Sequence, residues 1–586
     1  MTDLQVRPTR SLLAVAAEWV KDFQARLDAQ DYEGIAGLFV DEGAWRDLVS
    51  FTWSVGTVNT APVIAAAWRE RIAAFGPAVF RLEPDREPRE VVRAATDCLE
   101  VFLVFTTRFG TGRAVLRLVR DGSGYKAWTL ATALQELAGF EWLTGERRPT
   151  GHEYSRDDPS ANWLDARNRA VAYADRQPEV LIVGGGQAGL GLAARLGQLQ
   201  VDTLVVDKWP RIGDNWRQRY HTLTLHNEVW TCHLPYLNFP DTWPVYVPKD
   251  KLANWFESYV DAMEINYWTG TALESGVYSD EDQRWSVTLR KLNGTERVVR
   301  PKHVVMATGV SGIPHIPDIP GLAAFGGPVM HTSAFTGGAS LAGKRVAIIG
   351  TGNSAHDVAQ DLHRHGAAVT MLQRGATTVV DLEPASILPA RVYEEGLPLD
   401  DVDLIGISTP PPYSLKSAQS LTSQMRELDA GLIAALNKAG FRTDYGEDGG
   451  GLLSAYRHRG GGYYINVGAS NLIIDGEISV RQWSDITGFT PTGIAFTDGD
   501  LEVDAIILAT GYKAITAAVE RHFGSVVADQ IGEVWGEDET GELRNVWKRT
   551  AHPGLWFHAG SLIHCRVLSR YLALQIKGSL EGLMRT

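Results

Sequence analysis

The stretch EVLIVGGGQAGLGLAARLGQLQVDTLVVD, residues 179–207, decides the fold of this chain. The apolar run at 180–183 predicts a buried parallel strand, and Gly184, Gly186 and Gly189 fit the pattern G-x-G-x-x-G at a strand-to-helix turn. A second apolar run at 203–206 ends in Asp207. This order of strand, glycine-rich turn, helix, strand and acid is typical of a dinucleotide-binding unit.

Each glycine of the turn has its own mechanical role. Gly184 permits the tight turn, Gly186 lets a pyrophosphate approach the backbone, and Gly189 lets the helix lie close to the sheet. The helix N-terminus then holds the phosphates, and the Asp207 carboxylate can accept hydrogen bonds from both ribose hydroxyls. The residues expected at this first site are Gly184, Gly186, Gln187, Ala188, Gly189, Asp207, Lys208, Asn215, Trp216, Thr308 and Gly309.

A second unit of the same kind begins at residue 345. The apolar run at 345–349 leads into Gly350, Gly352 and Ala355, which fit the accepted variant G-x-G-x-x-A. A later apolar strand, residues 503–508, has a small-residue end where the backbone could approach a ligand. The residues expected at the second site are Gly350, Gly352, Asn353, Ser354, Ala355, Gln373 and Arg374, and Thr510 and Gly511 at the end of the later strand are further cofactor-binding candidates.

The two sites differ at the position of the acid. The count that leads from Gly184 to Asp207 leads from Gly350 to Gln373, which Arg374 follows. A carboxylate suits a bare ribose, whereas a neutral amide beside a guanidinium suits a 2′-phosphate. The sequence therefore predicts FAD at the first site and NADPH at the second, with NADH as a weaker donor. The alternative for Arg374 is an arginine that is merely exposed at a strand end.

Length and composition set the class of protein. At 586 residues and 44% hydrophobic, the chain is too long for one core. A formal charge of −14 without a basic run argues against nucleic acids and anionic membranes as partners, and no apolar run approaches the roughly 18 residues of a membrane span. We expect a soluble, cytoplasmic protein without a metal site. The three cysteines form no C-x-x-C pair, which excludes the usual dithiol flavin reductase.

The first quarter of the chain differs from the rest. Helices predicted near 10–28, 31–40 and 61–75 precede strands, an order typical of an α+β unit. This order resembles the cone-shaped SnoaL-like fold, whose curved sheet encloses a pocket. Five residues could line such a pocket, but we favour a structural or dimer-forming role for them. They are Asp41, Glu42, Trp45, Arg46 and Asp47.

The fold class expected for the whole chain is α/β, with two Rossmann-type dinucleotide-binding domains after an α+β domain. Residues 1–150 form the α+β domain and 151–177 a polar linker. Residues 178–320 and 490–586 form the FAD-binding domain, and 321–489 the NADPH-binding domain. The latter carries an irregular insertion, about 385–480, that is either a lid over the site or disordered.

Several motifs together carry a family resemblance. The two glycine turns, FGGPVMHTSAF at 325–335 and LATGY at 508–512 resemble class B flavin-containing monooxygenases. YHTLTLH at 220–226 and FPDTWPVYVP at 239–248 resemble the plant YUCCA-type enzymes, and the extra N-terminal domain is similar to that of type II bacterial members. Phe335 stands where type I Baeyer–Villiger enzymes have Trp. An Asn that contacts flavin and nicotinamide in animal-type members corresponds here to His226 or Asn227.

The resemblance implies a reaction as well as a fold. NADPH would reduce FAD, and the reduced flavin would react with O2 to give a C4a-hydroperoxyflavin that transfers one oxygen atom. The substrate would be a sulfide, an amine, a ketone or a 2-oxo acid such as indole-3-pyruvate. Two other functions remain open, an NADPH oxidase or flavin dehydrogenase without oxygen transfer, and a flavoprotein whose N-terminal domain is a ligand-binding or assembly module. That domain serves either homodimer formation or covering of the active site.

Overall fold

The computed structural model describes residues 11–122, 124–151 and 162–584. Part of the polar linker, residues 152–161, lies outside the described residues. Helices surround three main sheets. They are Leu12–Asp28, Tyr32–Gly37, Ala61–Phe75, Trp163–Ala172, Gln187–Gln198, Asp214–Arg217, Lys249–Ala262, Asn353–Arg364, Leu399–Ser408, Pro411–Leu428, Ala430–Lys438, Gly451–Arg459, Ala469–Ile474, Thr516–Phe523, Ser525–Ile531 and Leu562–Leu580.

The N-terminal sheet has seven strands and is mostly antiparallel. Its order is Val55–Asn59, Phe39–Leu48, Gly124–Leu137, Gly110–Asp121, Thr96–Thr107 and Val79–Leu82, with Arg89–Arg93 also paired to Thr96–Thr107. Phe39–Leu48 runs parallel to Gly124–Leu137. The helix expected over 31–40 ends at Gly37, because the next apolar residues enter this sheet. Helices followed by a mainly antiparallel sheet form the α+β unit that the sequence indicated.

Three of the five candidate pocket residues, Trp45, Arg46 and Asp47, have packing and pairing roles, whereas Asp41 and Glu42 are exposed. Trp45 is buried and stacks on Trp68 with ring centroids 4.1 Å apart. The Asp47 carboxylate accepts hydrogen bonds from the Phe51 backbone N at 2.9 Å and from Thr132 Oγ1 at 2.7 Å. Arg46 leaves the domain and pairs with Glu542 at 2.7 Å. These side chains stabilise the domain and its attachment to the rest of the chain.

The buried Asp47 carboxyl makes stability depend on pH. Burial raises the pKa of Asp47 from 3.8 to about 6. The folded protein therefore holds this proton more tightly than the unfolded chain, and Asp47 lowers stability as pH rises from about 4 to about 6, by roughly 3 kcal/mol in all. We expect Asp47→Asn to remove this contribution, so that its melting temperature, measured across that interval, falls less with pH than that of the wild type. Asp22→Asn, at an exposed position, is the control, and parallel curves for wild type and D47N would contradict the assignment.

The first parallel sheet contains the two strands of the stretch 179–207. Its order is Asn266–Trp268, Thr203–Val206, Val180–Val183, His303–Met306 and Leu555–Phe557, and every neighbouring pair is parallel. Thr271–Ser279, Arg284–Lys291 and Glu296–Val299 form an antiparallel sheet beside it. The central strands read as unbroken apolar runs because both faces of the sheet are covered.

The second parallel sheet repeats this arrangement. Its order is Val329–His331, Ala505–Leu508, Arg345–Ile349, Ala368–Gln373 and Ile478–Gln482. Ile486–Thr490, Gly493–Phe496 and Gly499–Glu502 form an antiparallel sheet that precedes Ala505–Leu508 in the chain. The sequence placed residues 490–586 with the first sheet, but strand pairing puts Ala505–Leu508 in the second. We propose that the second unit extends to about residue 512.

The insertion at 385–480 is not the irregular segment that the sequence indicated. Helices Leu399–Ser408, Pro411–Leu428, Ala430–Lys438 and Gly451–Arg459 make up nearly half of it, and strand Tyr463–Asn466 pairs in parallel with Thr378–Asp381. Its first helix packs on the N-terminal sheet, where Asp401 accepts hydrogen bonds from Arg86 and Arg113, both at 2.6 Å. Pro411 and Pro412 stand in the first turn of helix Pro411–Leu428, because a helix N-terminus tolerates a missing N–H.

Candidate functional site

The first glycine turn has the conformation that its motif requires. Gly184 has a φ of +111°, and a Cβ there would lie 2.5 Å from the Ala307 carbonyl oxygen. A Cβ on Gly189 would lie 2.0 Å from the Gly184 carbonyl oxygen, because the helix Gln187–Gln198 starts directly against the turn. Only glycine fits these positions without displacing backbone. The turn therefore presents backbone N–H groups and a helix N-terminus to one side of the sheet.

A cavity of about 730 Å³ opens at this turn. All the residues expected at the first site line it except Gly189, whose place is against the sheet: Gly184, Gly186, Gln187, Ala188, Asp207, Lys208, Asn215, Trp216, Thr308 and Gly309. Ser333 and Tyr512 from the second unit and Gly560 from the end of the chain complete the lining. The structure thus brings together residues that are hundreds of positions apart.

Asp207 links the strand end to the glycine turn. Its Oδ2 accepts a hydrogen bond from the Gly185 backbone N at 2.7 Å, and its Oδ1 accepts one from the Trp209 backbone N at 3.0 Å. Burial raises the pKa of Asp207, and these two backbone N–H groups oppose the rise. Each carboxylate oxygen has a further lone pair for a ribose hydroxyl.

The residues at this cavity fit an adenine dinucleotide. Asn215 Oδ1 is buried and has no hydrogen-bond partner among the described residues, while Asn215 Nδ2 lies 3.0 Å from where a Cβ on Gly186 would stand. A buried polar atom without a partner is uncommon and indicates that a ligand completes the site. Trp216 Nε1 donates to Gln187 Oε1 at 3.3 Å, and Gln187 Nε2 donates to the Gly560 carbonyl at 3.3 Å. A network of oriented side chains thus borders the first glycine turn.

The second glycine turn copies the first. Gly350 has a φ of +120°, and a Cβ there would lie 2.4 Å from the Ala509 carbonyl oxygen. The helix Asn353–Arg364 starts at once, with Ala355 buried. The Asn353 side chain accepts a hydrogen bond from the Ile465 backbone N at 2.9 Å, so this residue ties the turn to the insertion.

Arg374 and Arg442 lie close together at the end of strand Ala368–Gln373. Gln373 is fully buried and exchanges two hydrogen bonds with the Arg442 backbone. The Arg442 backbone N donates to Gln373 Oε1 at 2.8 Å, and Gln373 Nε2 donates to the Arg442 carbonyl oxygen at 2.9 Å. Arg374 and Arg442 are both exposed, and Arg442 Nη2 donates to the Arg374 carbonyl at 3.1 Å. Among the ion pairs of the described residues, neither guanidinium faces a carboxylate. Sequence counting missed Arg442, because only the fold of the insertion brings it beside Arg374.

The segment 325–335 joins the two units. His331 Nε2 and the Gly511 carbonyl oxygen are 2.9 Å apart, and His331 Nδ1 is 2.9 Å from Ser333 Oγ. Burial lowers the pKa of His331, so a neutral ring that donates from Nε2 fits these contacts. Thr510 points elsewhere, because its hydroxyl donates to the His315 carbonyl at 2.5 Å. Thr510 and Gly511 therefore hold the junction and do not line the 730 Å³ cavity.

His226 and Asn227 lie on a short strand, Thr224–Glu228, that pairs with Tyr246–Pro248. Neither lines the 730 Å³ cavity. Burial lowers the pKa of His226, and the nearby Asp357 carboxylate opposes this. Asp357, on the helix of the second glycine turn, also accepts a short hydrogen bond from the Tyr220 hydroxyl. The structure thus places His226 beside the second unit, whereas Asn227 is exposed.

Sequence reasoning also missed a cluster of three polar side chains, Ser561, His564 and Tyr456, at the start of helix Leu562–Leu580. The Ser561 backbone N donates to Tyr456 Oη at 3.0 Å, and Ser561 Oγ lies 3.0 Å from His564 Nδ1. Burial lowers the pKa of His564 to about 4, and the charges of Arg457 and Arg46 add to the effect. These residues follow Gly560 of the cavity lining, and Tyr456 comes from the insertion. Ser561 and His564 are three residues apart at the helix start, but only the fold brings Tyr456 to them.

Two further structural features concern metal ions and membranes. The part of the chain that the structure describes contains no cluster of His, Cys, Asp or Glu side chains suited to a metal ion. Within those same residues, no helix combines the length and apolarity needed to cross a bilayer.

The chain is similar to known proteins over the region that contains both glycine turns. Residues 181–392 match the family model of pyridine nucleotide-disulphide oxidoreductases. The chain is 32% identical over 347 residues to the indole-3-pyruvate monooxygenase YUCCA1 of Oryza sativa subsp. japonica, which covers 58% of this chain and 77% of that protein. It is 30% identical to the probable indole-3-pyruvate monooxygenase YUCCA4 of Arabidopsis thaliana, with 58% and 76% covered.

A solved structure shares the fold. It is that of ε-caprolactone-bound cyclohexanone monooxygenase, with a TM-score of 0.50 and 18% sequence identity over 69% of this chain and 88% of the other. The 32% identity to the rice relative, with 77% of that protein covered, and the two glycine turns lead to one assignment. The chain belongs to the class B flavin monooxygenases and is an FAD- and NADP-dependent oxidoreductase that acts with O2.

Proposed function

We propose that this enzyme inserts one oxygen atom from O2 into a small organic substrate, which is a sulfide, an amine, a ketone or a 2-oxo acid such as indole-3-pyruvate. The observation that supports this is the junction of two matching glycine turns, where Ser333 and Tyr512 of the second unit complete the cavity of the first. The 2-oxo acid also draws support from the rice relative, which is named an indole-3-pyruvate monooxygenase.

The cofactors, when bound, would supply hydride transfer and the activation of oxygen. The chain would hold them in place. Gly186 and Asn215 would bind the pyrophosphate of FAD, and Asp207 its ribose, because the first two lie at the turn and the third has free lone pairs. Trp216 and Tyr512 would exclude water from the ring end of the cavity. A flavin site requires that the protein exclude water and hold the cofactor in position.

His226 and Asn227 would act from the side of the second unit. The half-buried His226 imidazole, whose pKa is lowered by desolvation, can donate one directed hydrogen bond to a group that gains negative charge. The exposed Asn227 could offer its amide to the nicotinamide side. Of the two, His226 has the better support, because Asp357 and Tyr220 fix its surroundings.

A product screen tests the substrate class. The holoenzyme with NADPH and O2 would be given a thioether, a tertiary amine, a cyclic ketone and indole-3-pyruvate, and products would be identified by mass spectrometry while hydrogen peroxide is measured. We expect one class to yield a product that is 16 Da heavier, or the decarboxylated acid, in step with NADPH consumption. NADPH consumption matched by hydrogen peroxide with all four compounds would favour the oxidase alternative.

We propose that the N-terminal residues up to about 150 form a SnoaL-like domain that covers the insertion. Support comes from side-chain contacts between the two. Arg93 pairs with Glu395 at 2.7 Å, and Arg117 Nη2 donates to Ser408 Oγ at 2.7 Å. Tyr413 of the insertion donates a short hydrogen bond to the Glu42 carbonyl. Such an interface would hold the insertion against the FAD unit, and size-exclusion chromatography of the whole protein would test the alternative role in homodimer formation.

Arg374 and Arg442 are expected to select NADPH over NADH. Each guanidinium is exposed and without a carboxylate, so each can pair with the 2′-phosphate. Losing one such contact costs about 1.5–3 kcal/mol, which is a rise of roughly ten- to a hundredfold in the KM for NADPH. We expect Arg374→Gln and Arg442→Gln to raise that KM and to leave the KM for NADH nearly unchanged.

The matched control is Arg364→Gln, which is also exposed but lies at the far end of the helix that begins at the second glycine turn. Steady-state kinetics with both nucleotides should show no change in this variant. Equal effects of R374Q on NADPH and NADH would mean that the 2′-phosphate binds elsewhere.

A further inference from the structure

A second cavity, of about 1080 Å³, lies between the N-terminal sheet and the FAD-binding unit. The helix Gln187–Gln198, the loop 234–238 and the start of the insertion helix at Leu399 form its other walls. It shares no lining residue with the 730 Å³ cavity. It is therefore a separate site, and the oxygen-transfer reaction gives it no role.

Arg195 supplies an unpaired charge in this cavity. It stands in the last turn of the helix that begins at the first glycine turn, and only 7% of its surface is exposed. Its Nε has no hydrogen-bond partner, and no ion pair among the described residues includes it. Its guanidinium lies over the Tyr236 ring at 4.6 Å and the Trp142 ring at 5.7 Å. Aromatic faces attract a cation, but they leave its N–H groups unmatched.

Arg570 faces the same space from the last helix, Leu562–Leu580. Its side chain is one-fifth exposed and donates a short hydrogen bond to the Gln135 amide oxygen. The nearest carboxylate is Asp400 at 3.7 Å, which is itself mostly exposed. Burial lowers the pKa of Arg570, and the charge of Arg195 adds to this. The two guanidinium groups thus repel each other, and the exposed Asp400 carboxylate opposes this only in part.

The other charged side chains of the lining are already paired. Arg566 makes two hydrogen bonds to Asp403, at 2.6 and 2.8 Å. Arg113 pairs with Glu83 and with Asp401. Glu136 pairs with Arg147 at 2.8 Å. Among the charged side chains of the lining, Arg195 therefore has no carboxylate partner within the described residues, and Arg570 has only the exposed Asp400 at 3.7 Å.

We propose that this cavity binds an organic carboxylate, with its anionic group between Arg195 and Arg570 and its apolar or aromatic body against Trp142, Tyr236 and Phe105. A buried cation is stable only when an anion or a hydrogen-bond acceptor reaches it, and a carboxylate offers two acceptors in the geometry of a guanidinium fork. The lining supplies the remaining contacts, because Phe105, Leu234 and Leu237 are apolar. The ligand would touch the N-terminal sheet and the FAD-binding helix at once.

Calorimetric titration of the holoenzyme with phenylacetate, and with the neutral phenylacetamide, tests this site. We expect phenylacetate to bind and the amide to bind at least roughly tenfold more weakly, because only the acid neutralises the two cations. Arg195→Gln and Arg570→Gln should each raise the Kd for phenylacetate by about ten- to a hundredfold. Arg81→Gln, an exposed arginine on the N-terminal sheet, should leave the Kd unchanged.

Flavin absorbance and the melting temperature report whether each variant still holds FAD and its fold. If Arg195→Gln loses FAD, Arg570→Gln carries the test, because it lies on a different helix. The proposal fails if phenylacetamide binds as tightly as phenylacetate, if an intact R570Q binds phenylacetate as well as the wild type, or if the wild type shows no binding at about 10 mM phenylacetate.

Discussion

Alanine at position 189 is expected to give protein that purifies without FAD and melts at a lower temperature than the wild type. The new Cβ would lie 2.0 Å from the Gly184 carbonyl oxygen, a backbone atom that cannot rotate away. The helix must move off the sheet, and overpacking of this kind costs about 1–3 kcal/mol. The same movement takes the helix N-terminus and the backbone of Gly186 away from the phosphates. The flavin absorbance of the purified protein and its thermal unfolding measure the two effects.

The matched control for Gly189→Ala is Gly197→Ala. Both glycines lie in the helix Gln187–Gln198, but a Cβ on Gly197 would meet no other atom within 4 Å. Removing a helical glycine there should stabilise the protein by roughly 0.5–1 kcal/mol and leave FAD content unchanged. If G189A keeps its full complement of FAD, the turn does not hold the pyrophosphate in the way we propose.

Replacing Glu542 with alanine should detach the N-terminal domain from the rest of the chain. Glu542 is buried and accepts hydrogen bonds from Arg46 Nε at 2.8 Å, Arg46 Nη2 at 2.7 Å and Thr57 Oγ1 at 2.8 Å. Its loss leaves the guanidinium of Arg46 largely buried without an anion, which costs about 3–5 kcal/mol. We expect an earlier unfolding transition in calorimetry and faster proteolysis between the domain and the FAD unit.

Glu539→Ala, in the same loop but at an exposed position, controls for changes to the loop itself. The double variant Arg46→Met with Glu542→Met should be more stable than E542A, since no unpaired charge remains buried. Equal melting curves for E539A and E542A would show that the ion pair does not hold the domain in place.

The sequence predicted the two dinucleotide units well because their signals are local. Strand, glycine turn and helix follow each other within twenty residues, and each glycine is needed for a contact inside that stretch. The same holds for the second turn at Gly350. The helices of the N-terminal unit were also predicted within a few residues, because their apolar periodicity is strong.

What the sequence missed depends on contacts between distant segments. Strand Ala505–Leu508 reads like any buried strand, and only its pairing with Arg345–Ile349 shows which sheet it joins. Arg442 lies in the insertion and meets Arg374 through the backbone of Gln373. His226 could be placed near a cofactor by resemblance, but its neighbour Asp357 comes from a helix in the other unit. Long-range pairing of this kind leaves no periodic trace in either partner.

The position of strand Leu555–Phe557 has a consequence for synthesis on the ribosome. It pairs with His303–Met306 at one edge of the first sheet, although the other strands of that sheet are made far earlier. Until it emerges, the apolar strand His303–Met306 is an open edge, and such edges are prone to pair with other chains. All strands of the N-terminal sheet lie within residues 39–137, so that this sheet can form first. We therefore expect the nascent FAD unit to depend on chaperones until its last strand is translated.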